Sequence, residues 1–157
     1  PVEQLTLESF QISQNVNVTA PFLLIKALLP ELEKVKGSII NIASIHAQLT
    51  KPEFVAYATS KSALVGLTQA LAVEVGARVR VNAISPAAIA TPMLQAGFEG
   101  NAAAYTALKS HHPCGDIGVP EEVANLAVFL ASNQARFING ANISINGAIG
   151  ARLHDPV

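Results

Sequence analysis

Tyr57 and Lys61 stand four residues apart in Tyr57-Ala-Thr-Ser-Lys61. On a helix that spacing puts both side chains on one face, one turn from each other. An ammonium beside a phenol stabilises the phenolate, which suits the tyrosine to general acid/base work. Ser44 comes earlier, directly after a short apolar run. A hydroxyl donating to a carbonyl oxygen, a phenol delivering its proton and a lysine holding charge together fit carbonyl reduction or alcohol oxidation. Each residue also has a plainer reading. Tyr57 and Lys61 read equally as an exposed aromatic–lysine pair, and Ser44 as the N-terminal residue of a turn.

These groups need elements to position them, and hydrophobic periodicity supplies the elements. Thr6 can cap a helical stretch running to about Glu33, with Leu7, Phe10, Val18, Phe22, Ile25, Leu28, Leu29 and Leu32 mostly three or four apart. Pro21 cannot donate to the carbonyl four residues back, so a kink is expected near Asn17. Residues 38–43 read as a short apolar strand of the kind buried on both faces of a parallel sheet. A second helix is expected from Pro52 or Glu53 to Val75, with Gly76 as its left-handed C-terminal residue. A strand over residues 78–84 follows, ended by Ser85-Pro86. Residues 91–112 read as a loop plus helix. Pro120-Glu-Glu opens another helix, and residues 141–145 form a third strand.

The order α-β-α-β-α-β with short connections implies right-handed crossovers and a parallel sheet. In such sheets ligands bind outside the carboxyl ends of the strands. Ser44 is at one such end, and Tyr57 is early in the next helix, so the two can converge. Three strands leave an apolar edge at residues 39–42, where something should pair.

Composition narrows the partners. Half of the 157 residues are apolar and 13% are charged, against about 25% in an ordinary soluble domain. Ten basic against eleven acidic side chains argue against recognition of nucleic acid or an anionic membrane through bulk charge. The apolar content excludes disorder. The longest charge-free stretches, 9–25 and 81–98, are broken by Gln, Asn, Pro and Gly, so no membrane span is expected. The lone Cys114 and the lack of a secretory leader pattern point to a reducing, cytoplasmic setting. His111 and His112 are adjacent, so their side chains point apart, and no metal site is expected.

Several motifs occur together and in order: Asn41-Ile-Ala-Ser44, Tyr57-x-x-x-Lys61, Val81-Asn-Ala-Ile-Ser-Pro86, Ile89-Ala-Thr-Pro92, Pro120-Glu-Glu-Val-Ala124 through Phe129-Leu-Ala131, Ile138-Asn-Gly140 and Ile145-Asn-Gly147. Along essentially the whole chain this set resembles the short-chain dehydrogenase/reductase family. The resemblance implies an α/β fold, the C-terminal half of a Rossmann-like doubly wound parallel sheet with about three strands and flanking helices. Residues 1–157 would form a single partial domain of that kind. It implies an NAD- or NADP-dependent oxidoreductase that interconverts a secondary alcohol and a ketone by hydride transfer.

In that reading Tyr57 is the acid/base, and Lys61 binds the nicotinamide ribose and assists Tyr57. Ser44 orients the substrate carbonyl, and Asn17 holds a water that links Lys61 to solvent. Pro86 and Ala87 lie under the nicotinamide, where the family has Pro-Gly; the extra methyl of Ala87 bears on cofactor affinity. Ile89 and Thr91 contact the carboxamide; otherwise they serve as a hydrophobic plug and a helix cap. His46, Thr50 and Phe54 resemble a wall of the substrate pocket, although a structural or solvent-facing role for His46 stays open. Met93, Leu94 and Phe98 belong to a substrate loop or to ordinary packing. Asn146 and Ala148 replace the family's usual Asp and Gly at turn and interface positions.

The family's opening strand and Gly-rich phosphate turn have no counterpart before Asn17, and no Gly precedes Gly37. The residue that selects NAD over NADP is missing with them. The chain is therefore expected to be a fragment of a longer dehydrogenase, paired as a homodimer or homotetramer through its long helices and C-terminal strand. The alternative is a catalytically silent piece serving as an oligomerisation or binding module.

Overall fold

The computed structural model describes residues 1–153. Helix α1 (Leu7–Gln14) opens as its sequence dictates, with the Thr6 hydroxyl accepting the Ser9 N–H at 3.1 Å. The expected kink takes the form of a wide π turn over Asn15–Thr19, in which the Ala20 N–H donates to Asn15 O, five residues back. Pro21 offers no N–H to the Asn17 carbonyl, and the ladder changes register beside it. Helix α2 (Ala20–Lys34) then carries Pro21 in its first turn, where no donor is needed.

Strand β1 (Ser38–Ile42) leads through the single 3-10 turn Ile45–Ala47 to helix α3 (Val55–Val75). The helix starts later than Pro52 or Glu53 because Glu53 has a left-handed backbone, φ +72°, which a helix cannot contain. Gly76 is not left-handed; its φ is −61°. Space decides that position instead, since a Cβ there would collide with the Ala72 carbonyl oxygen and the Asn139 amide. Strand β2 covers Arg80–Pro86, two residues later than the expected 78–84. Arg78 and Val79 still donate to Val75 O in the helix end, while Ser85 and Pro86 pair with Ser144 and Ile145. Proline is tolerated there as the last residue of the strand.

Residues 91–112 hold two helices, α4 (Pro92–Ala96) and α5 (Ala102–His111). Thr91 caps the first by accepting from Leu94 N at 3.2 Å, and Asn101 caps the second by accepting from Ala104 N at 3.0 Å. Helix α6 (Pro120–Ala131) has Pro120 in its first turn, and the Glu122 carboxylate accepts the Val119 N–H at 2.8 Å. Strand β3 (Asn142–Ile145) completes the sheet.

The sheet order is β1-β2-β3, all parallel, with Ile42 opposite Ile84 and Pro86 opposite Ile145. Alternate residues feed two cores. Ile39 and Val81 pack with Leu29, Leu32, Leu71, Ala72 and Val75 from α2 and α3. Ile40, Ile84 and Ile143 pack with Val123, Leu126 and Leu130 from α6 on the opposite face. Complete burial of an aliphatic side chain such as Ile84 or Leu130 contributes about 1.5–3 kcal/mol. One polar pair interrupts the α3 face without cost, because Asn41 donates to Thr68 Oγ1 at 2.8 Å and that hydroxyl donates to Leu64 O at 2.8 Å.

Arg80, at the start of β2, fans its guanidinium across the end of α6. It donates to the carbonyls of Leu130 (2.7 Å), Ala131 (3.3 Å), Ser132 (3.1 Å) and Ile138 (3.4 Å). These include the last carbonyls of the helix, which have no intrahelical partner. The β1 edge carries Ile42, 46% exposed, so the apolar edge expected from the sequence is present among the described residues. No helix among them is long and apolar enough to cross a membrane.

Candidate functional site

Lys61 and Tyr57 share a face of the first turns of α3, as their spacing requires. The Lys61 ammonium lies 5.7 Å from the centroid of the Tyr57 ring and donates to Ile42 O at 2.9 Å. The bond fastens it to the carboxyl end of β1. Burial holds the ammonium below the usual lysine range. Its other two N–H donors have no protein partner among the described residues.

Ser44 is two residues past the same strand end and 6% exposed. Its Oγ accepts the His46 N–H at 3.2 Å as it caps the 3-10 turn Ile45–Ala47. The hydroxyl proton has no protein acceptor among the described residues, so Ser44 is set up to donate. Tyr57 is 36% exposed, open enough for its phenol to meet a ligand.

Three rings form a cluster around it. His46 stacks on Phe54 at 4.5 Å and 15°, and presents its edge geometry to Tyr57 at 5.7 Å and 76°. Phe54 meets Tyr57 at 6.0 Å and 87°. Burial, then the charge of Lys51, hold the His46 imidazole below its usual range, so it is neutral at pH 7.

Asn17 sits in the π turn, and its amide donates to Ser60 Oγ at 3.0 Å. Ser60 is fully buried and donates to Tyr57 O at 2.7 Å. Sequence reasoning passed over Ser60. It is the residue that joins the π turn to the backbone of Tyr57, and its signal was its place within the Tyr57–Lys61 motif, one residue before the lysine.

Pro86 is the last residue of β2, and Ala87, Ile89 and Thr91 follow it beyond the carboxyl end of that strand. The Ala87 N–H donates to Ile145 O at 3.0 Å. Ile89 forms a parallel bridge with Gly118, flanked by bonds from Ala90 N to Gly118 O (2.8 Å) and from Gly118 N to Ala88 O (3.0 Å). Thr91 spends its oxygen on the cap of α4 and keeps its hydroxyl proton unassigned among the described residues. Met93 is 87% exposed and is not drawn into the cluster. His111 and His112 bond to successive helix carbonyls, Ala107 O and Leu108 O. Among the described residues no three metal-ligating side chains come together.

The arrangement can place two proton donors, the Ser44 hydroxyl and the Tyr57 phenol, beside an ammonium at the carboxyl end of a parallel sheet. Such a site can stabilise and protonate an oxygen.

A family model described as Enoyl-(Acyl carrier protein) reductase matches residues 1–149. The chain is 38% identical over 154 residues to a 2,5-dichloro-2,5-cyclohexadiene-1,4-diol dehydrogenase of Sphingobium indicum, a match covering 96% of this chain and 62% of the relative. It superposes on the ligand-free aldohexose dehydrogenase of Thermoplasma acidophilum with a TM-score of 0.95 at 29% identity, over 100% of this chain and 65% of that one. It also superposes on 4-hydroxyisoleucine dehydrogenase complexed with NADH, with a TM-score of 0.90 at 37% identity, over 98% of this chain and 64% of that one. The chain thus spans less than two thirds of the length of each of these three proteins.

Proposed function

The chain belongs to the short-chain dehydrogenase/reductase family, and from that premise we propose that the protein carrying it is an NAD- or NADP-dependent oxidoreductase interconverting a secondary alcohol and a ketone. Residues 1–157 are, in this proposal, one partial Rossmann-fold domain that bears the catalytic side. The observation that carries the reading is the Lys61 ammonium, held by Ile42 O beside the Tyr57 ring at the carboxyl end of β1.

In the reducing direction Tyr57 gives its phenolic proton to the substrate oxygen, and in the oxidising direction it takes that proton back. Ser44 donates its free hydroxyl proton to the same oxygen and fixes where the substrate lies. Lys61 holds positive charge next to the phenolate while the proton is away. Asn17 acts through Ser60 on the position of Tyr57. The nicotinamide, when bound, supplies the acceptor and donor of hydride. The residues of this chain suit the nicotinamide and ribose end of such a cofactor. Two ammonium donors of Lys61 have no partner among the described residues and can meet ribose hydroxyls, and Pro86, Ala87, Ile89 and Thr91 come at the carboxyl end of β2, the strand paired with β1.

His46 and Phe54 flank the substrate side, with Met93 on an exposed helix that can approach it. A hydroxyl-bearing carbon in each relative's named substrate supports an alcohol as substrate class: a cyclohexadienediol, an aldohexose and a hydroxyisoleucine. Exposed Leu23, Leu24 and Leu28 on α2 and Val73 on α3 support self-association through the long helices.

The test is cofactor-linked oxidation of a panel of secondary alcohols by the full-length protein, followed by Tyr57→Phe. Loss of the general acid should lower turnover by at least about 100-fold with cofactor affinity kept. A Tyr57→Phe enzyme that turns over at the wild-type rate removes Tyr57 from the acid/base role.

A further inference from the structure

We infer that His46 is a positioning residue for both proton donors of the site: its main chain aims the Ser44 hydroxyl, and its imidazole holds the Tyr57 ring. The inference rests on the roles of Ser44 and Tyr57 proposed above and adds a residue that acts through them.

Tyr57 lies in the first turn of α3 and is more than a third exposed, so helix packing alone does not enclose its ring. Its neighbours are rings. Phe54 and His46 meet it at 87° and 76°, the edge-to-face geometry that aromatic quadrupoles favour. Phe54 is the residue just before α3, and its own ring is held by the parallel stack of His46 at 4.5 Å, with the Lys51 ammonium 4.5 Å from its centroid. Whatever fixes His46 therefore fixes the other two rings.

His46 is fixed twice. Its Nδ1 lies 3.1 Å from Thr50 Oγ1, and its backbone N–H donates to Ser44 Oγ at 3.2 Å. The second bond occupies a lone pair of the serine and leaves the hydroxyl proton to point elsewhere. One residue in a three-residue turn thus touches the serine through its main chain and the tyrosine through its side chain. A shift of the turn would move both donors together. The ring is neutral at pH 7, which keeps it a good stacking partner beside Lys51.

A role through ring packing makes a specific claim: phenylalanine should replace the imidazole and alanine should not. In the full-length protein His46→Ala should lower kcat by at least about 5-fold, the smallest loss expected from one edge-to-face and one stacked pair, with KM for the cofactor unchanged. His46→Phe should return kcat to within about twofold of wild type. Thr50→Val removes the Nδ1 anchor from an exposed position and should lower kcat about twofold, which covers the case where His46→Ala does not fold.

A second readout does not depend on turnover. In NMR spectra of the full-length protein the ring signals of Tyr57 are identified as those that Tyr57→Phe removes. These signals should be displaced from those of an exposed tyrosine, keep most of that displacement in His46→Phe, and lose it in His46→Ala. If the wild-type protein oxidises no alcohol, the proposed function fails, while the ring signals still decide the placement of Tyr57. The inference is overturned if His46→Ala leaves kcat and the Tyr57 signals unchanged. It is equally overturned if His46→Phe is as damaged as His46→Ala, because the imidazole would then act by a polar contact.

Discussion

Replacing Ser60 by alanine tests whether the π turn is tied to the site as the structure indicates. The Ser60 hydroxyl is fully buried, accepts from the Asn17 amide at 3.0 Å and donates to Tyr57 O at 2.7 Å. The substitution removes both bonds and adds no bulk. The Tyr57 carbonyl keeps its helical N–H partner within α3, so its loss is about 1 kcal/mol. The half-buried Asn17 amide loses its acceptor and is left to partial solvation, which costs about 1–2 kcal/mol more. The total is about 2–3 kcal/mol. A chain of this size loses roughly 2–4 °C of Tm per kcal/mol, so Ser60→Ala should melt about 4–12 °C below wild type.

A double-mutant cycle sharpens the test. Asn17→Ala alone leaves the Ser60 hydroxyl on the Tyr57 carbonyl and should cost about 1 kcal/mol. The double variant should cost less than the sum by about 1 kcal/mol, because the orphaned amide is gone. Thermal and urea unfolding followed by far-UV circular dichroism measure all three. A Ser60→Ala protein melting within about 1 °C of wild type refutes the reasoning, as does strict additivity.

Arg80→Met should destabilise by about 2–4 kcal/mol, since it leaves the carbonyls at the end of α6 without the charged donor that spans them. Arg80→Lys should recover less than half of that in urea denaturation, because an ammonium cannot bridge so wide a fan. The position of His46 gives a pH dependence. Its folded-state pKa is held below 6.5, so the unfolded chain binds more protons than the folded one in that range. Its contribution to stability is therefore complete above pH 6.5 and is lost as pH falls through 6.5 toward the folded-state value. His46→Phe should flatten the acid side of the stability–pH curve measured by denaturant unfolding, and an unchanged slope would assign that side to other groups.

Much of the arrangement is legible in the residues themselves. Helical spacing brought Tyr57 and Lys61 together, and the β-branched run before Ser44 marked the strand whose end they face. The position of Pro21 foretold a disturbance beside Asn17. Its form, a π turn and not a bend, depends on how the ladder re-closes around Ala20, which no local pattern encodes. The limits of β2 and α3 were displaced for a similar reason. Arg78 and Val79 are good strand residues that the end of α3 claims first, and Glu53 adopts a backbone its type does not announce. Ser60 was hidden because serine in a helix usually faces water. Only the packing of α1 and the π turn against α3 buries it. His46 and Phe54 were legible as a pocket wall through the family resemblance, but their packing on the Tyr57 ring was not, because the three share no periodicity; a turn and an irregular segment fold them onto one another.

The Lys61 bond to Ile42 also limits what can be added to the sheet. In the β1–β2 register, Gly37 O accepts from Arg80 N and Ala43 N donates to Ile84 O, so the odd residues of β1 face β2. The carbonyls of Ile40 and Ile42 therefore point to the open margin, and the ammonium already occupies the second of them. A strand joining that margin can zip along β1 as far as Ile40 and then meets a lysine where its next amide would dock. The ammonium works as an end-stop. A neighbouring strand that overran it would have to pull Lys61 away from Tyr57, so over-extended pairing and a charged, ready site exclude each other.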